Sequence, residues 1–182
     1  VLPDAVAVVD MHQEDCKSSF KELSGVGVAL KLVMAIEGEY SDPEQILENY
    51  SDLACLGTVG DIVPLVSDNR VIVKNGLRHI GNSDRCGINA LVEESGLSNR
   101  RITTGNISFT LVPRINAGGR LGLSKKTVSM LLTDEEDVAF DIAQELCEDN
   151  TQRQQIEKEI LDDIDERIKR NPSIVQNRII VV

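Results

Sequence analysis

The sequence predicts an α/β fold in which helices outnumber strands, and three features of the chain support this prediction. Residues 5–9, AVAVV, form an unbroken apolar run that ends at Asp10, as a strand buried in a parallel sheet does. Several segments with a helical spacing of apolar residues follow in the first half of the chain. Residues 134–170 then contain neither Gly nor Pro and predict one long helix.

The helices of the first half are predicted over residues 23–37, 43–57, 69–80 and 86–95. Turn and capping residues delimit the first two of them. Ser24 is a natural N-cap of the first helix, and Gly38 follows its last residue. Pro43 lies in the first turn of the second helix, and Gly57 marks its predicted end.

The predicted long helix carries a single narrow apolar stripe, which is interrupted by polar residues around Asn150. Its members recur mostly at four-residue steps: Val138, Ile142, Leu146, Ile156, Ile160, Ile164 and Ile168. Thr133 is the expected N-cap, Glu136 completes a capping box, and Pro172 ends the helix. The helix would be about 55 Å long. So narrow a stripe on so long a helix indicates a connector between domains rather than a core helix.

The composition excludes several classes of protein. The 182 residues carry a net charge of −11 and contain no Trp and only 3% aromatic residues, so the core is predicted to be aliphatic. The chain has no run of about 18 consecutive apolar residues, which excludes a membrane-spanning helix. The four cysteines lack the spacing of a metal site, and we interpret them as reduced thiols of a cytoplasmic protein.

Positive charge is concentrated in one interval of this acidic chain. No acidic residue lies between Glu94 and Asp134, whereas six cationic residues do: Arg100, Arg101, Arg114, Arg120, Lys125 and Lys126. The interval therefore carries +6 and the rest of the chain −17. Within it, LVPRINAGGRLG (111–122) predicts a loop in which the backbone of Gly118 and Gly119 can approach an anion closely. Because the planar donor fork of arginine matches phosphate oxygens, the interval predicts an anion-binding surface.

Three stretches of the chain, taken in order, resemble the RecJ single-strand exonucleases of the DHH phosphoesterase family. They are LSGVGVALKL (23–32), LACLGTVGDIVPLVSDNR (53–70) and PRINAGGRLG (113–122). The start of the chain, LPDAVAVVD, resembles the strand that follows the Asp-His-His motif of that family, and DNTQRQQIEKEI (149–160) resembles its interdomain helix. Gly60 and Gly118 depart from the family pattern, which usually has alanine at both positions.

The resemblance implies that the chain has three parts. Residues 1–132 would be the C-terminal, largely helical part of a DHH phosphoesterase domain, 133–170 the long connecting helix, and 171–182 the start of a DHHA1-type domain. The apolar run RIIVV, residues 178–182, would be the first strand of that second domain. We expect an internal fragment that begins after most metal-binding residues of the family and is therefore inactive on its own.

In the intact protein, the resemblance implies a nuclease that hydrolyses phosphodiesters of single-stranded DNA from 5′ to 3′ in DNA repair and recombination. Its cofactor would be Mn²⁺, with Mg²⁺ as an alternative. Asp61, in TVGDIVPL, is the family metal ligand that maps onto this chain, and it is the expected catalytic residue. Without the resemblance, an isolated acid beside Gly60 and an apolar run would be interpreted as a capping or turn residue.

The substrate would be held by residues of the PRINAGGRLG stretch. The expected substrate-binding residues are Arg114, Asn116, Gly118, Gly119 and Arg120. The two arginines would grip phosphates, and the other three would shape the turn between them. This implication explains why a chain of net charge −11 contains a cationic interval, since its substrate is a polyanion.

Three alternatives to this interpretation stay open at the level of the sequence. One is a different phosphoesterase of the same superfamily that acts on short oligonucleotides or small phosphorylated molecules. Another is a replication scaffold that keeps the fold and has lost the chemistry. The third is an α/β domain whose basic patch has no ligand. For the nuclease, we expect a helicase or a single-strand-binding protein among the protein partners.

Overall fold

The computed structural model describes residues 3–120 and 124–176, and these residues form helices joined by turns and short connections. The α-helices of the described ranges are α1 (Gly25–Glu37), α2 (Pro43–Gly60), α3 (Ser67–His79), α4 (Cys86–Glu94), α5 (Thr104–Asn106), α6 (Val112–Arg120), α7 (Ser124–Leu132) and α8 (Glu136–Arg170). A π-helical turn, Ile107–Leu111, joins α5 to α6 without a break. Short 3₁₀ helices occupy Ile80–Asn82 and Pro172–Gln176.

The predicted strand at residues 5–9 is wrong, and the α/β class is met only in its helical part. Within the described ranges no strand is present, and the apolar run is irregular and mostly exposed. Val6 is fully exposed, and Val9 is 64% exposed. A strand must pair its backbone with a neighbouring strand, and helices alone provide no sheet edge for this run. The strand predicted at residues 178–182 lies outside the described residues.

The first two helices are held together by their caps and by a close approach of their backbones. Ser24 caps α1 as predicted, accepting a hydrogen bond from the Gly27 N–H at 3.2 Å, and its hydroxyl also bonds Thr58 of α2 at 3.1 Å. Helix α2 continues through Gly57, its predicted end, to Gly60. A Cβ atom at Gly57 would lie 2.6 Å from Val26 Cγ1. This glycine therefore serves helix packing rather than helix termination.

The core is aliphatic, as the composition predicts. Helix α3 packs along α2, where Gly76 lies so close to Cys55 and to the Ser51 carbonyl that a side chain could not be accommodated. The fully buried apolar side chains include members of α2, α4, α7, α8, the π-helical turn and the first 3₁₀ helix: Ile46, Ile80, Ile88, Leu91, Ile107, Leu111, Met130 and Leu146. None of the helices in the described ranges is long and apolar enough to cross a bilayer.

The long helix exists, but its start and its buried face differ from the prediction. It begins at Glu136 after an N-cap at Glu135 that has no side-chain capping bond. Thr133 instead ends α7: its N–H donates to the Ser129 carbonyl, and its hydroxyl accepts from the Glu135 N–H at 3.1 Å. The predicted capping box of Thr133 and Glu136 is therefore wrong, because Thr133 follows the last residue of α7 and Glu135 is the N-cap of α8.

Only the first half of α8 belongs to the core. Its buried residues are Ala139, Ala143, Leu146 and Asn150, which face α4, α6 and α7. Asn150, predicted as a polar break, is 1% exposed and lies within a continuous helix. The second half extends away from these contacts, with Ile156 and Ile160 about half exposed. The division into domains at residues 132 and 170 stays a prediction.

Candidate nucleic-acid interface

Asp61 lies at the C-terminal end of α2, on the molecular surface. It is the C-cap residue, and its backbone N–H donates to the Gly57 carbonyl at 2.9 Å. Its side chain is exposed, and the described residues offer its carboxylate no hydrogen bond or ion pair. A carboxylate with no structural partner is free to bind a ligand, whereas an acid that only caps a turn accepts backbone N–H groups.

The connection after Asp61 is held in an unusual backbone conformation. Ile62 has φ of 58°, in the left-handed region that β-branched residues rarely adopt, and its side chain is 88% exposed. The buried Asn69 fixes this connection from α3, because its Nδ2 donates to the Pro64 carbonyl at 3.0 Å and to the Glu22 carbonyl at 2.6 Å. The strained residue beside Asp61 thus belongs to a rigid turn, as strained residues at functional sites commonly do.

The described residues do not form a complete metal centre. Among them, no group of three or more His, Cys, Asp or Glu side chains is close enough together to hold an ion. Asp61 alone supplies one carboxylate, whereas Mn²⁺ or Mg²⁺ takes about six ligands. The exposed carboxylate fits the role of a single ligand, and the described residues do not fit the role of a whole site.

The predicted cationic loop is a helix. Residues 112–120 form α6, so Gly118 and Gly119 lie inside a helix and not in a turn. Most N–H groups inside a helix are bonded to carbonyls of the preceding turn, so they are not free to cradle an anion. The expectation that the two glycines shape a turn is therefore wrong. Gly118 is buried, and Arg120 is the last residue of α6, with its side chain outside what the structure describes.

Arg114 is partly engaged in holding the fold. Its Nη1 donates to the Thr110 carbonyl of the π-helical turn at 2.7 Å, and its Nε donates to Cys147 Sγ of α8 at 3.2 Å. The side chain is neither buried nor fully exposed. These two bonds leave Nη2 without a partner among the described residues. Arg114 thus joins α6 to α8 and has donor capacity left for a phosphate.

A cleft of about 540 Å³ is lined by residues from the end of α2 and from α6. Its lining includes Gly60 and Ile62, the neighbours of Asp61, together with Asn116 and Ala117 of α6. Asn116 is exposed, so its amide is available to a ligand. Residues of two of the sequence-predicted stretches, TVGDIVPL and PRINAGGR, therefore line the same cleft.

Two further residues of this cleft were not predicted from the sequence. Phe109 lies in the π-helical turn and is 84% exposed, although aromatic residues are scarce in the chain. Arg153 reaches the cleft from α8; its Nη1 pairs with Glu157 at 3.1 Å, and its buried Nε has no partner among the described residues. An exposed aromatic ring and a guanidinium are the groups that hold single-stranded nucleic acid, through base stacking and phosphate contact. The π-helical turn that presents Phe109 is a form often found at functional sites.

The six cations of the basic interval do not share one surface. Lys126 forms an ion pair with Glu145 on α8. Arg100 and Arg101 line a different cleft, next to α3. The interval contributes residues of α5, the π-helical turn and α6 to the cleft beside Asp61, and none of its cations is among the described lining residues. Positive charge that is contiguous in sequence is therefore divided among separate sites by the fold.

Comparisons with known proteins show which family the chain resembles. No family model matches the chain. The chain is 36% identical over 169 residues to the single-stranded-DNA-specific exonuclease RecJ of Bacillus subtilis, a match that covers 93% of this chain and 21% of the relative. Crystal structures of RecJ from Thermus thermophilus are also similar at 36% identity. The Mg²⁺ complex has a TM-score of 0.72 and is matched over 81% of this chain and 23% of that one. The Mn²⁺ complex has a TM-score of 0.71, over 82% and 22%.

These matches support the prediction that the chain is an internal fragment of a RecJ-like protein. The chain spans between a fifth and a quarter of the length of these three relatives. The RecJ resemblance read from the three sequence stretches is confirmed. The roles assigned to individual residues are not tested by the matches and stay predictions.

Proposed function

We propose that the protein of which this chain is a RecJ segment hydrolyses the phosphodiester bonds of single-stranded DNA, and that the cleft beside Asp61 is part of its active site. One observation carries the assignment to this cleft. An exposed carboxylate without a structural partner lies next to residues that line a groove, and the groove also contains an amide, an aromatic ring and a guanidinium. These groups suit a strand whose phosphates and bases must both be held near a metal ion.

Asp61 would contribute one oxygen ligand to a divalent ion, and the remaining ligands would come from groups other than those described. A bound Mn²⁺ or Mg²⁺ supplies a water of lowered pKa and neutralises charge on the scissile phosphate. The chain's own residues orient the strand. Asn116 would donate its amide N–H to a phosphate oxygen, and Phe109 would stack against a base.

Three arginines have different roles in this proposal, and Arg153 is the one that lines the described cleft. Arg153 lines the cleft and would meet a phosphate with the guanidinium hydrogens that its contacts with Glu157 and Asn150 leave unused. Arg114 would mainly hold α6 against α8 and would meet the strand with its remaining donors. Arg120 is proposed as a further phosphate contact from the RecJ resemblance alone.

Finer features of the activity also follow from the resemblance. We infer Mn²⁺ as the preferred ion, cleavage from 5′ to 3′, a role in DNA repair and recombination, and a cytoplasmic location. A helicase or a single-strand-binding protein is the expected partner, because duplex DNA must be opened before a single strand can enter a cleft of this kind. The oligonucleotide phosphoesterase and the inactive scaffold are the alternatives that an activity assay would distinguish.

The test is the substitution Asp61→Asn in the full-length protein. We expect Mn²⁺-dependent hydrolysis of single-stranded DNA to fall by about 100-fold or more, since loss of a direct ligand exceeds the 10–100-fold effect of losing its supporting contacts. The melting temperature should not change, because the side chain is exposed and bonds nothing that the structure describes. Asp84→Asn, which removes another exposed carboxylate, is the matched control. Near-normal turnover in Asp61→Asn would refute the assignment.

A further inference from the structure

A second, larger cleft of about 1110 Å³ lies between α3 and the connection that precedes α5. Its floor contains the buried Val73 and Ile102. Five cationic side chains line it, and no acidic side chain does: Arg70, Lys74, Arg78, Arg100 and Arg101. In a chain of net charge −11, a concave surface with this charge requires an explanation.

The five cations have no structural role that the described residues reveal. All five side chains are exposed, and none takes part in an ion pair or a side-chain hydrogen bond within the described ranges. Asp68, the acid of α3, is paired with Lys31 at 3.1 Å on α1. Like charges around one cleft repel one another, and a negatively charged ligand would relieve that repulsion.

The cations are held on a rigid frame. Arg70, Lys74 and Arg78 follow at four-residue intervals on one face of α3, which places them about 6 Å apart along the helix axis. Arg100 and Arg101 follow Asn99, which has a left-handed φ of 58°, and precede the buried Ile102. The next residue, Thr103, forms a capping box with Asn106 that fixes the end of the connection.

The two clefts adjoin each other. Leu65 and Thr104 line both of them, so the groove beside Asp61 continues into the cationic cleft. Four of the five cations are arginines, whose donor forks match phosphate oxygens. The lining contains no aromatic side chain, so the cleft can hold a backbone but offers no stacking platform for bases.

We propose that the cationic cleft holds the sugar–phosphate backbone of the strand beyond the segment bound beside Asp61. The proposal rests on the proposed function, because it takes single-stranded DNA as the ligand of the adjoining groove. The cleft would increase affinity for long strands with no preference for sequence, and it would keep the strand bound between successive cleavage events. An acidic peptide is the other polyanion that such a cleft would accept. The continuity of the two clefts and the repeated spacing on α3 favour a strand.

The experiment measures strand binding by the full-length protein, with the divalent ion chelated so that the strand is not cut. One variant is Arg70→Gln/Lys74→Gln/Arg78→Gln, and a second is Arg100→Gln/Arg101→Gln. Lys158→Gln/Lys169→Gln, which removes two exposed cations from the second half of α8, is the matched control. Fluorescence anisotropy compares a labelled oligothymidylate of about 5 nucleotides with one of about 20, a range that brackets single-strand site sizes.

We expect both cleft variants to weaken binding of the long strand by about tenfold or more and to leave binding of the short strand within about twofold. The slope of log affinity against log salt for the long strand should fall by roughly 0.7 for each lost contact, hence about 2 for the triple variant. The control should behave as the wild type. Arg70→Lys/Arg78→Lys keeps the charge and should retain the salt slope, which separates loss of charge from a change in the fold.

Three results would overturn the proposal. The first is unchanged affinity for the long strand, and the second is an equal loss for both lengths. The third is that the cleft variants lose binding of a polyglutamate peptide that the wild type binds while their strand binding is unchanged, which would make the cleft a peptide site. If the wild-type protein neither binds nor cuts single-stranded DNA, the proposed function fails and this proposal fails with it. If the wild type does both and the cleft variants match it, only this proposal fails.

Discussion

Two aspartates of the same helix, Asp52 and Asp61, lie in opposite environments. Asp52 is 2% exposed, and its carboxylate accepts hydrogen bonds from Arg85 Nη1 at 3.0 and 3.1 Å and from the Ser83 hydroxyl at 2.6 Å. The Arg85 guanidinium also lies 5.7 Å from the centre of the Tyr50 ring. Asp61, nine residues later, is exposed and has no such partner among the described residues.

The difference shows how to separate structural from functional charges in this protein. Asp52 and Arg85 neutralise each other in a closed network that joins α2 to the segment before α4. Unpaired charges also occur at two adjoining clefts: five cations line one, and Asp61 lies between Gly60 and Ile62, which line the other. Charges that the fold satisfies internally hold the fold, and charges that it leaves unsatisfied in clefts are free to bind ligands.

The largest expected effect on stability is that of breaking the buried pair. Asp52→Ala leaves the Arg85 charge and the Ser83 hydroxyl without their partner, which costs about 3–5 kcal/mol in the free energy of unfolding. For the 182-residue chain this lowers the melting temperature by about 10 °C. Circular dichroism at a helical wavelength measures the melt. Asp61→Ala, on the same helix, should melt as the wild type does, and equal losses in the two variants would remove the distinction between them.

An intermediate effect is expected at Arg114, which donates hydrogen bonds within the fold and has further donors that are free to bind DNA. Arg114→Ala loses the bonds to the Thr110 carbonyl and to Cys147, at a cost of about 1–2 kcal/mol, and should melt about 5 °C lower. Asn116→Ala, two residues away and exposed, should weaken strand binding with no change in melting temperature. If Arg114→Ala instead left the melting temperature unchanged and lowered only the salt slope of DNA binding, the bracing role would be wrong.

The smallest expected effect concerns the reactivity of the cysteine thiols. Cys55 lies one helical turn after Asp52, so its reactivity depends on the same buried environment. Burial, and then the negative charge of Asp52, raise the pKa of the Cys55 thiol to about 12, so it stays protonated at pH 8. The pKa of Cys16 is lowered, first by a hydrogen bond from the Ser18 backbone and then by one from Lys21. Timed alkylation at pH 8 with mass spectrometry should modify Cys16 early and Cys55 only on unfolding. Early modification of Cys55 in the folded chain would contradict the burial of this helix.

The elements that the sequence predicted well are those set by neighbouring residues. Helix α1 begins after Ser24 and ends before Gly38. The Ser24 side chain bonds the Gly27 N–H and the Gly38 N–H bonds the Met34 carbonyl, so each end depends on residues three or four positions away. The predicted end of α2 was wrong because it depended on a contact with a distant part of the chain. Gly57 looks like a terminator in sequence, yet its missing side chain is required by Val26 on another helix.

The roles predicted for the site residues stay predictions, but the structure brings two of their stretches together. Asn116 lines the same cleft as Gly60 and Ile62, the neighbours of Asp61. The glycines of PRINAGGR were expected in a turn, and they lie in α6, which continues the helix that starts at Thr104 and packs against α8. Arg153 was not selected, since in sequence it is one cation on a long acidic helix.

The sequence by itself determined the helical segments, the aliphatic core, the segregation of charge and the kinship with RecJ, because each of these depends on residue type and local spacing. Only the tertiary structure decided which charges are neutralised. Asp52 meets Arg85, which lies 33 positions later in the sequence, and Arg70 and Arg101 line one cleft although they belong to separate elements. Such encounters depend on how helices pack, and packing depends on complementary surfaces that no single segment contains.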